Sequence, residues 1–311
     1  MVTDDALRFE GPEKKLEIIL TAPRPDLRGD DPARWDRVVR ASRATILSKK
    51  STPDMDAWLL SESSLFVWDD RILMITCGRT TLIHALPEIL AFVDREEVGF
   101  VFYERKNLMY PTDQQSDFEQ DVAYLETFFQ GKSYRLGPAN RDHVHVFYSS
   151  HAQAPPDEDA TLEVLMHGLA PEALGLFDES AASTAEGALA LSGIDRIYPD
   201  MERDSFLFSP CGLSVNAVEG ASYHTIHVTP QACGSYASFE TNVVESDYGP
   251  LLDQLLSIFR PSTLTIVLTT SLPAHGVQPR FPGVPEGYHT TERSTYEFDC
   301  GYAVTHANLT I

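Results

Sequence analysis

The chain has 311 residues, with 24 lysines and arginines against 46 aspartates and glutamates, a formal net charge of -22. That length, with a hydrophobic fraction of 43%, describes an ordinary globular protein with room for a real core and excludes a disordered or fibrous chain. So acidic a surface repels phosphate backbones, which excludes nucleic acid as a partner, and attracts cations.

Before the first predicted element, Met1-Val2-Thr3-Asp4-Asp5 is acidic and carries no apolar segment of the secretory kind. No apolar run reaches membrane-spanning length. Cys77, Cys211, Cys233 and Cys300 form no CxxC pair, so neither a zinc site nor a redox dithiol is indicated, and no metal is expected. The expectation is a cytoplasmic protein with reduced thiols and no membrane partner.

Leu16 to Leu20 reads as a strand. Asp31-Pro32 opens a helix with Trp35, Val38 and Val39 on one face, Pro suiting the first turn. Ala44 to Leu47, Ala57 to Leu60 and Arg71 to Thr76 read as strands. Thr80 or Thr81 is expected to cap a helix carrying Leu82, Leu86, Ile89 and Val93, kinked at Pro87. Val98 to Tyr103 is a strand, and Ser116-Asp117-Phe118-Glu119 predicts a capping box. Phe118, Val122, Leu125 and Phe129 continue that helix toward a C-cap at Gly131. Val144 to Tyr148 is a strand. Leu162 to Met166 and Leu251 to Phe259 look helical, and Thr225 to Val228, Tyr236 to Thr241 and Thr263 to Leu268 look like strands. The stretch from Ser271 to Glu292, rich in Pro, Gly and His, reads as an exposed loop, and no internal repeat is visible. Strands outnumber helices and come in runs, which predicts an α+β protein whose antiparallel sheets are each covered by helices on one face.

Six short segments bear on chemistry. Leu60-Ser61-Glu62-Ser63-Ser64 lies between two apolar stretches; by itself it is a polar turn, although a serine after a carbonyl can also attack its own peptide bond. Phe9-Glu10-Gly11-Pro12-Glu13-Lys14 sets an aromatic and two carboxylates around a turn, and Thr76-Cys77-Gly78 closes a strand with a thiol. Phe208 to Asn216 contains Pro210, Gly212 and Ser214. In Tyr223 to Pro230, strand alternation puts Thr225 and His227 on one face and His224 and Ile226 on the other. Ser235 to Asn242 is an alternating strand with Glu240 on it.

In this order and spacing the six segments resemble the eukaryotic S-adenosylmethionine decarboxylase proenzyme family, from Phe9 to about Phe259. The resemblance implies a single domain over residues 1–311, folded as a four-layer αββα sandwich with two antiparallel sheets flanked by helices. It implies a precursor that cuts itself at Glu62-Ser63, leaving residues 1–62 as the small chain and 63–311 as the large chain. Ser63 becomes a pyruvoyl group that joins the substrate amine as a Schiff base and acts as the electron sink for decarboxylation. His227 and Ser214 serve processing, and Cys77 is the proton donor. Glu10 and Glu13 are active-site acids. Phe9 and Phe208 sandwich the adenine, with Leu60 and Gln231 as further substrate-binding positions. The product is the aminopropyl donor for spermidine and spermine. Putrescine as an effector, held by Glu17, Arg105, Asp159, Thr161, Glu163 and Glu240, and a homodimer are further partners the resemblance admits.

Four positions depart from the family pattern. Gln231 stands where a glutamate usually holds both ribose hydroxyls, an expected loss of about 1–2 kcal/mol in nucleoside binding. Ile75 stands where a lysine often joins the putrescine network. Arg79 stands where a small residue is usual, its charge either lowering the Cys77 thiol pKa or turning to solvent. Tyr302 to Ile311 lacks the usual final segment. These departures leave a diverged paralogue as the alternative, either an inactive regulatory partner of an active decarboxylase or a pyruvoyl decarboxylase with another amino-acid substrate.

Overall fold

The computed structural model describes residues 9–29, 31–151, 159–178, 180–231, 234–272 and 279–311. Eight strands form the first sheet: β1 (Lys14–Leu20), β2 (Ile46–Ser51), β3 (Asp56–Leu60), β4 (Ser63–Val67), β5 (Arg71–Thr76), β6 (Val98–Lys106), β7 (Lys132–Leu136) and β8 (Val144–Ser150). Eight more form the second: β9 (Ala160–His167), β10 (Glu202–Leu207), β11 (Leu213–Glu219), β12 (Ser222–Thr229), β13 (Tyr236–Thr241), β14 (Thr263–Ser271), β15 (His289–Glu297) and β16 (Tyr302–Thr310). Every strand pair with a defined register is antiparallel. The strand orders are β2-β3-β4-β5-β1-β6-β8-β7 and β10-β11-β12-β13-β9-β14-β16-β15, so adding eight to each label of the first gives the second. A repeat is therefore present in topology although none shows in sequence. The hairpin β3–β4 has β11–β12 as its counterpart.

Contacts gather the chain into two compact units, one around the first sheet and one around the second; Phe9–Gly11 belongs with the second. On the first sheet, Leu16, Ile18, Leu60, Leu65, Met74, Val101 and Phe147 make a core with helices α1 (Pro32–Ala41), α2 (Ala85–Leu90) and α3 (Phe118–Leu125). Trp35, Val38 and Val39 of α1 are buried there as the spacing predicts, and the Asp31 side chain accepts from the Ala33 amide at the cap. On the second sheet, Leu162, Val164, Ile226, Phe239, Ile266 and Leu309 pack under α4 (Pro171–Leu174), α5 (Ala185–Ser192) and α6 (Gly249–Phe259). Burying each such side chain contributes roughly 1.5–3 kcal/mol.

Several local expectations are corrected. Leu162 to Met166 is strand, not helix: β9 lies between β13 and β14 and is buried on both faces, which erases the alternation that marks a strand. The capping box of α3 is Asp117 with Gln120, one residue beyond the expected pair. That helix ends at Leu125 and Gly131 is no C-cap; a Cβ there would lie 2.4 Å from the Phe147 ring. Neither Thr80 nor Thr81 caps a helix through its side chain. A 3-10 turn (Leu82–His84) comes first, and Pro87 falls in the first turn of α2, where no amide hydrogen is required. The turn in Leu60 to Ser64 is only Ser61-Glu62, because Ser63 pairs with Leu60 and starts β4. Ser271 ends β14 and Glu292 lies in β15, so the expected loop is shorter at both ends; residues 273–278 lie outside the described ones.

Candidate functional site

In the first unit, the β3–β4 hairpin and the end of β5 bring Glu62, Ser63 and Cys77 together. Ser63 pairs with Thr76 across β4 and β5, which sets Cys77 beside the turn. The carbonyl oxygen of Glu62 accepts from the Cys77 amide at 2.9 Å and from the Cys77 thiol at 3.4 Å. Ser63 is buried and has φ +130°, a backbone region that favours glycine. The scissile peptide of the sequence reading thus has a polarised carbonyl and a strained following residue.

Burial pushes the Cys77 thiol well above its usual range, and the Glu62 and Glu13 carboxylates push it further, against Lys14. It is a protonated thiol, the form that can donate to a carbonyl and deliver a proton. Burial also raises the Glu62 carboxyl to about 7, moderated by the Lys14 ammonium. Lys14 is held by the Gly78 carbonyl at 3.3 Å and by the Thr80 carbonyl and hydroxyl at 3.1 and 3.2 Å. Arg79 turns away to Asp113 at 2.9 Å, so of the two expectations for its charge the outward one is observed. The Leu60 side chain lies in the helix-side core, which leaves only its main chain for a ligand.

In the second unit, Phe9 is tethered to Gln231: its amide donates to the side-chain oxygen at 3.0 Å. Gly11 makes this approach feasible, since a Cβ there would lie 2.7 Å from that of Tyr236. Phe208 is half-buried, its amide donating to the Gly212 carbonyl at 2.8 Å and its ring standing edge-on to Phe206 at 4.8 Å. Gly212 has φ +124°, open to glycine. Glu10 is buried.

The face of the second sheet away from its helices is polar and buried. Register places Thr225 opposite Glu240 and Glu240 opposite Glu163, with His227 opposite Ser238. His227 Nδ1 is 2.9 Å from the Ser214 hydroxyl and Nε2 is 2.8 Å from the Thr225 hydroxyl. Burial depresses His227 to about 3, so the ring is neutral near physiological pH.

Four of the residues expected around putrescine, Glu17, Asp159, Glu240 and Arg105, already have partners. Glu17 is 3.2 Å from Arg71. Tyr223 donates to Glu240, and Tyr302 donates to Asp159 at 2.6 Å. Thr161 lies on β9 two residues before Glu163. Arg105 is not joined to Glu17: it shares a face with Lys14, three residues before Glu17, and points to the helix side, where Asp121 and Ser116 hold it. Ile75 lies opposite Lys15, whose ammonium is 3.9 Å from Glu104, so a cation stands on the neighbouring strand. Lys14, Lys15, Arg71, Tyr223 and Tyr302 escaped the sequence reading; Lys14 and Lys15 carried a signal, as paired cations entering an apolar strand.

A sequence model described as adenosylmethionine decarboxylase matches residues 6–310. The chain belongs to the adenosylmethionine decarboxylase family. It is 35% identical over 323 residues to a protein named S-adenosylmethionine decarboxylase proenzyme from Dictyostelium discoideum, covering 96% of this chain and 85% of that one. A protein of the same name from Drosophila melanogaster is 36% identical over 284 residues, covering 84% and 82%. Among solved structures, the Trypanosoma brucei AdoMetDC-delta26 monomer superposes with TM-score 0.63 at 25% identity, covering 79% of this chain and 98% of that one. The adenosylmethionine decarboxylase fold accounts for the two eight-stranded antiparallel sheets with their helices. Cys77 and Cys211 are free thiols, and Cys233 lies outside the described residues. Among the described residues no group of side chains is arranged to hold a metal, and no helix is long and apolar enough to cross a membrane.

Proposed function

We propose that this chain is a self-processing, pyruvoyl-dependent decarboxylase of S-adenosylmethionine that makes the aminopropyl donor for spermidine and spermine. The observation that carries it is the Glu62 carbonyl, held by two donors from Cys77 and followed by a strained serine. In processing, the Ser63 hydroxyl attacks that carbonyl, the peptide C–N bond breaks, and an ester links Glu62 to the Ser63 oxygen. The two Cys77 donors stabilise the oxygen as it takes up negative charge. Relief of the Ser63 backbone favours the same direction. Ser214 and His227 are assigned to this processing, His227 as the base for β-elimination of the ester.

The hairpin position of Ser63 fits a group that must end as a new N-terminus. Once formed, that pyruvoyl group supplies the electron sink for loss of carbon dioxide. Cys77 then returns a proton, for which a raised thiol pKa is suited because the proton is held until a carbanion demands it. Phe9 and Phe208 stack the adenine, and Gln231 offers its amide to the ribose. A reduced, cytoplasmic setting suits the requirement that Cys77 stay a thiol. The internal partners of Glu17, Asp159 and Glu240 support an enzyme that needs putrescine little. The active reading is preferred to a diverged paralogue because strain and carbonyl polarisation at Ser63 have no use in a chain that does not cleave.

A denaturing gel with intact masses tests the reading. Two chains parted after Glu62, the larger with a blocked N-terminus, and carbon dioxide released from carboxyl-labelled S-adenosylmethionine are expected. A chain that remains whole and releases none refutes it.

A further inference from the structure

Thr225 has no part in the reading so far, yet it touches the imidazole on the side away from Ser214. Its hydroxyl is 2.8 Å from His227 Nε2, 3.0 Å from Asn216 Oδ1 and 3.1 Å from the Val215 carbonyl. Thr225 and Asn216 are both buried on the polar face of the second sheet. We propose that Thr225, backed by Asn216 and the Val215 carbonyl, is a positioning residue that fixes His227 with its proton on Nε2 and its lone pair on Nδ1.

The number of protons available to these groups decides the tautomer. A hydroxyl has one hydrogen and can accept on its lone pairs. The Val215 carbonyl can only accept, whichever way the Asn216 amide is turned. If the Thr225 hydrogen goes to one of these oxygens, its own oxygen accepts from Nε2–H, and Nδ1 accepts from the Ser214 hydroxyl at 2.9 Å. The one Thr225 hydrogen then serves one of the two oxygens, and both imidazole contacts join a donor to an acceptor. In the other tautomer the Thr225 hydrogen goes to Nε2, and two oxygens are left facing hydroxyl lone pairs without a proton between them, a costly arrangement in a buried site. His227 is neutral and carries one ring proton, so the choice of tautomer decides which nitrogen is basic.

This rests on the processing role proposed for His227. There, His227 is the base for the Ser63 Cα proton of the ester, and with Nε2 protonated the lone pair it offers is the one on Nδ1. The electron pair becomes a Cα–Cβ double bond, the Cβ–Oγ bond breaks, and Glu62 leaves as a carboxylate; water then replaces the nitrogen, which departs as ammonia. A ring protonated on Nδ1 has its lone pair on Nε2 instead, where the Thr225 hydroxyl hydrogen occupies it. Ser214 holds that lone pair until it is used, and Thr225 stabilises the imidazolium from the far side once it forms.

The test follows cleavage of precursor made by cell-free synthesis, on denaturing gels with and without hydroxylamine, which cuts esters. Thr225→Val keeps the shape and removes the hydroxyl. It is expected to slow cleavage by about tenfold or more and to let a hydroxylamine-sensitive ester accumulate. Thr225→Ser is expected to restore cleavage. Nitrogen-15 spectra of the uncleaved Ser63→Ala chain should show His227 protonated on Nε2 alone, and this reading holds even if Thr225→Val fails to fold. Cleavage of Thr225→Val at the parental rate, or a His227 proton found on Nδ1, overturns the proposal while leaving the processing role intact. Cleavage of His227→Ala at the parental rate overturns both.

Discussion

The main-chain amide of Phe9 donates to the side-chain oxygen of Gln231 at 3.0 Å. An amide N–H cannot accept, so this contact identifies the oxygen of Gln231 and leaves its NH2 group for a ligand. A glutamate would keep the bond to Phe9 and still present a second oxygen to a ribose hydroxyl. Gln231→Glu is therefore expected to tighten binding of S-adenosylmethionine by about 1–2 kcal/mol, read as a lower KM with little change in kcat. Gln231→Leu should raise KM, since it releases Phe9 as well. An unchanged KM in both variants would mean that the ribose is held elsewhere.

The two Cys77 donors on the Glu62 carbonyl predict a graded response in self-cleavage. Ser63→Ala should stay one chain indefinitely. Cys77→Ala retains the amide donor and loses the thiol, so cleavage should slow by about tenfold, whereas Cys77→Ser should cleave faster than the alanine variant. The time course of the two fragments on a gel separates these cases.

How far the sequence could be read depended on what each segment's signal rested on. Trp35, Val38 and Val39 were legible as a buried face because α1 has one dry side. Leu162 to Met166 was not, because β9 is dry on both sides and Leu, Met and Glu are good helix formers. Residues 289–292 were read as loop and 293–310 were unread, although β15 and β16 lie there, because Thr, Asn, His and Ser interrupt the apolar pattern. Ser63, Cys77 and His227 were found by resemblance alone. Their hydrogen bonds depend on strand register, which no local pattern specifies.

Glu17 with Arg71 and Lys15 with Glu104 predict a weak response to putrescine. Cleavage and decarboxylation by the parent chain should change less than about twofold on adding it, because a dication finds Glu17 and Glu104 already paired with cations. Arg71→Ala uncovers Glu17 and should create a putrescine response. Strong stimulation of the parent would show that these internal cations do not substitute for the diamine.

The Glu62 carboxyl, raised to about 7 by burial, bears on the uncleaved chain. Between the ordinary carboxylate range and pH 7 the folded state binds a proton that the unfolded state has released. Stability from this group is therefore present at low pH and lost as pH rises through 7. In a Ser63→Ala background, Glu62→Gln should be more stable than Glu62 at pH 8 by on the order of 2 kcal/mol and no more stable at pH 4, as read by urea unfolding. Equal stability at pH 8 would mean that the carboxylate is well solvated.

His224 has the opposite sign. It lies on the helix side of β12, fully buried, with both ring nitrogens lacking hydrogen-bond partners among the described residues. Its ring stacks on Phe239 at 5.7 Å and meets Tyr198 at 5.8 Å. Burial, reinforced by the Arg203 charge, depresses it to about 3. Below its ordinary range the unfolded chain takes up a proton that the folded chain refuses, so stability falls as pH drops from about 6.5 toward 3. At pH 5 this penalty is about 2 kcal/mol. His224→Leu removes the proton uptake and keeps an apolar side chain in the core, so its stability should hold between pH 7 and pH 5 while that of the parent declines. Parallel pH profiles for the two chains would show that the His224 ring is protonated within the fold and that Arg203 does not oppose it.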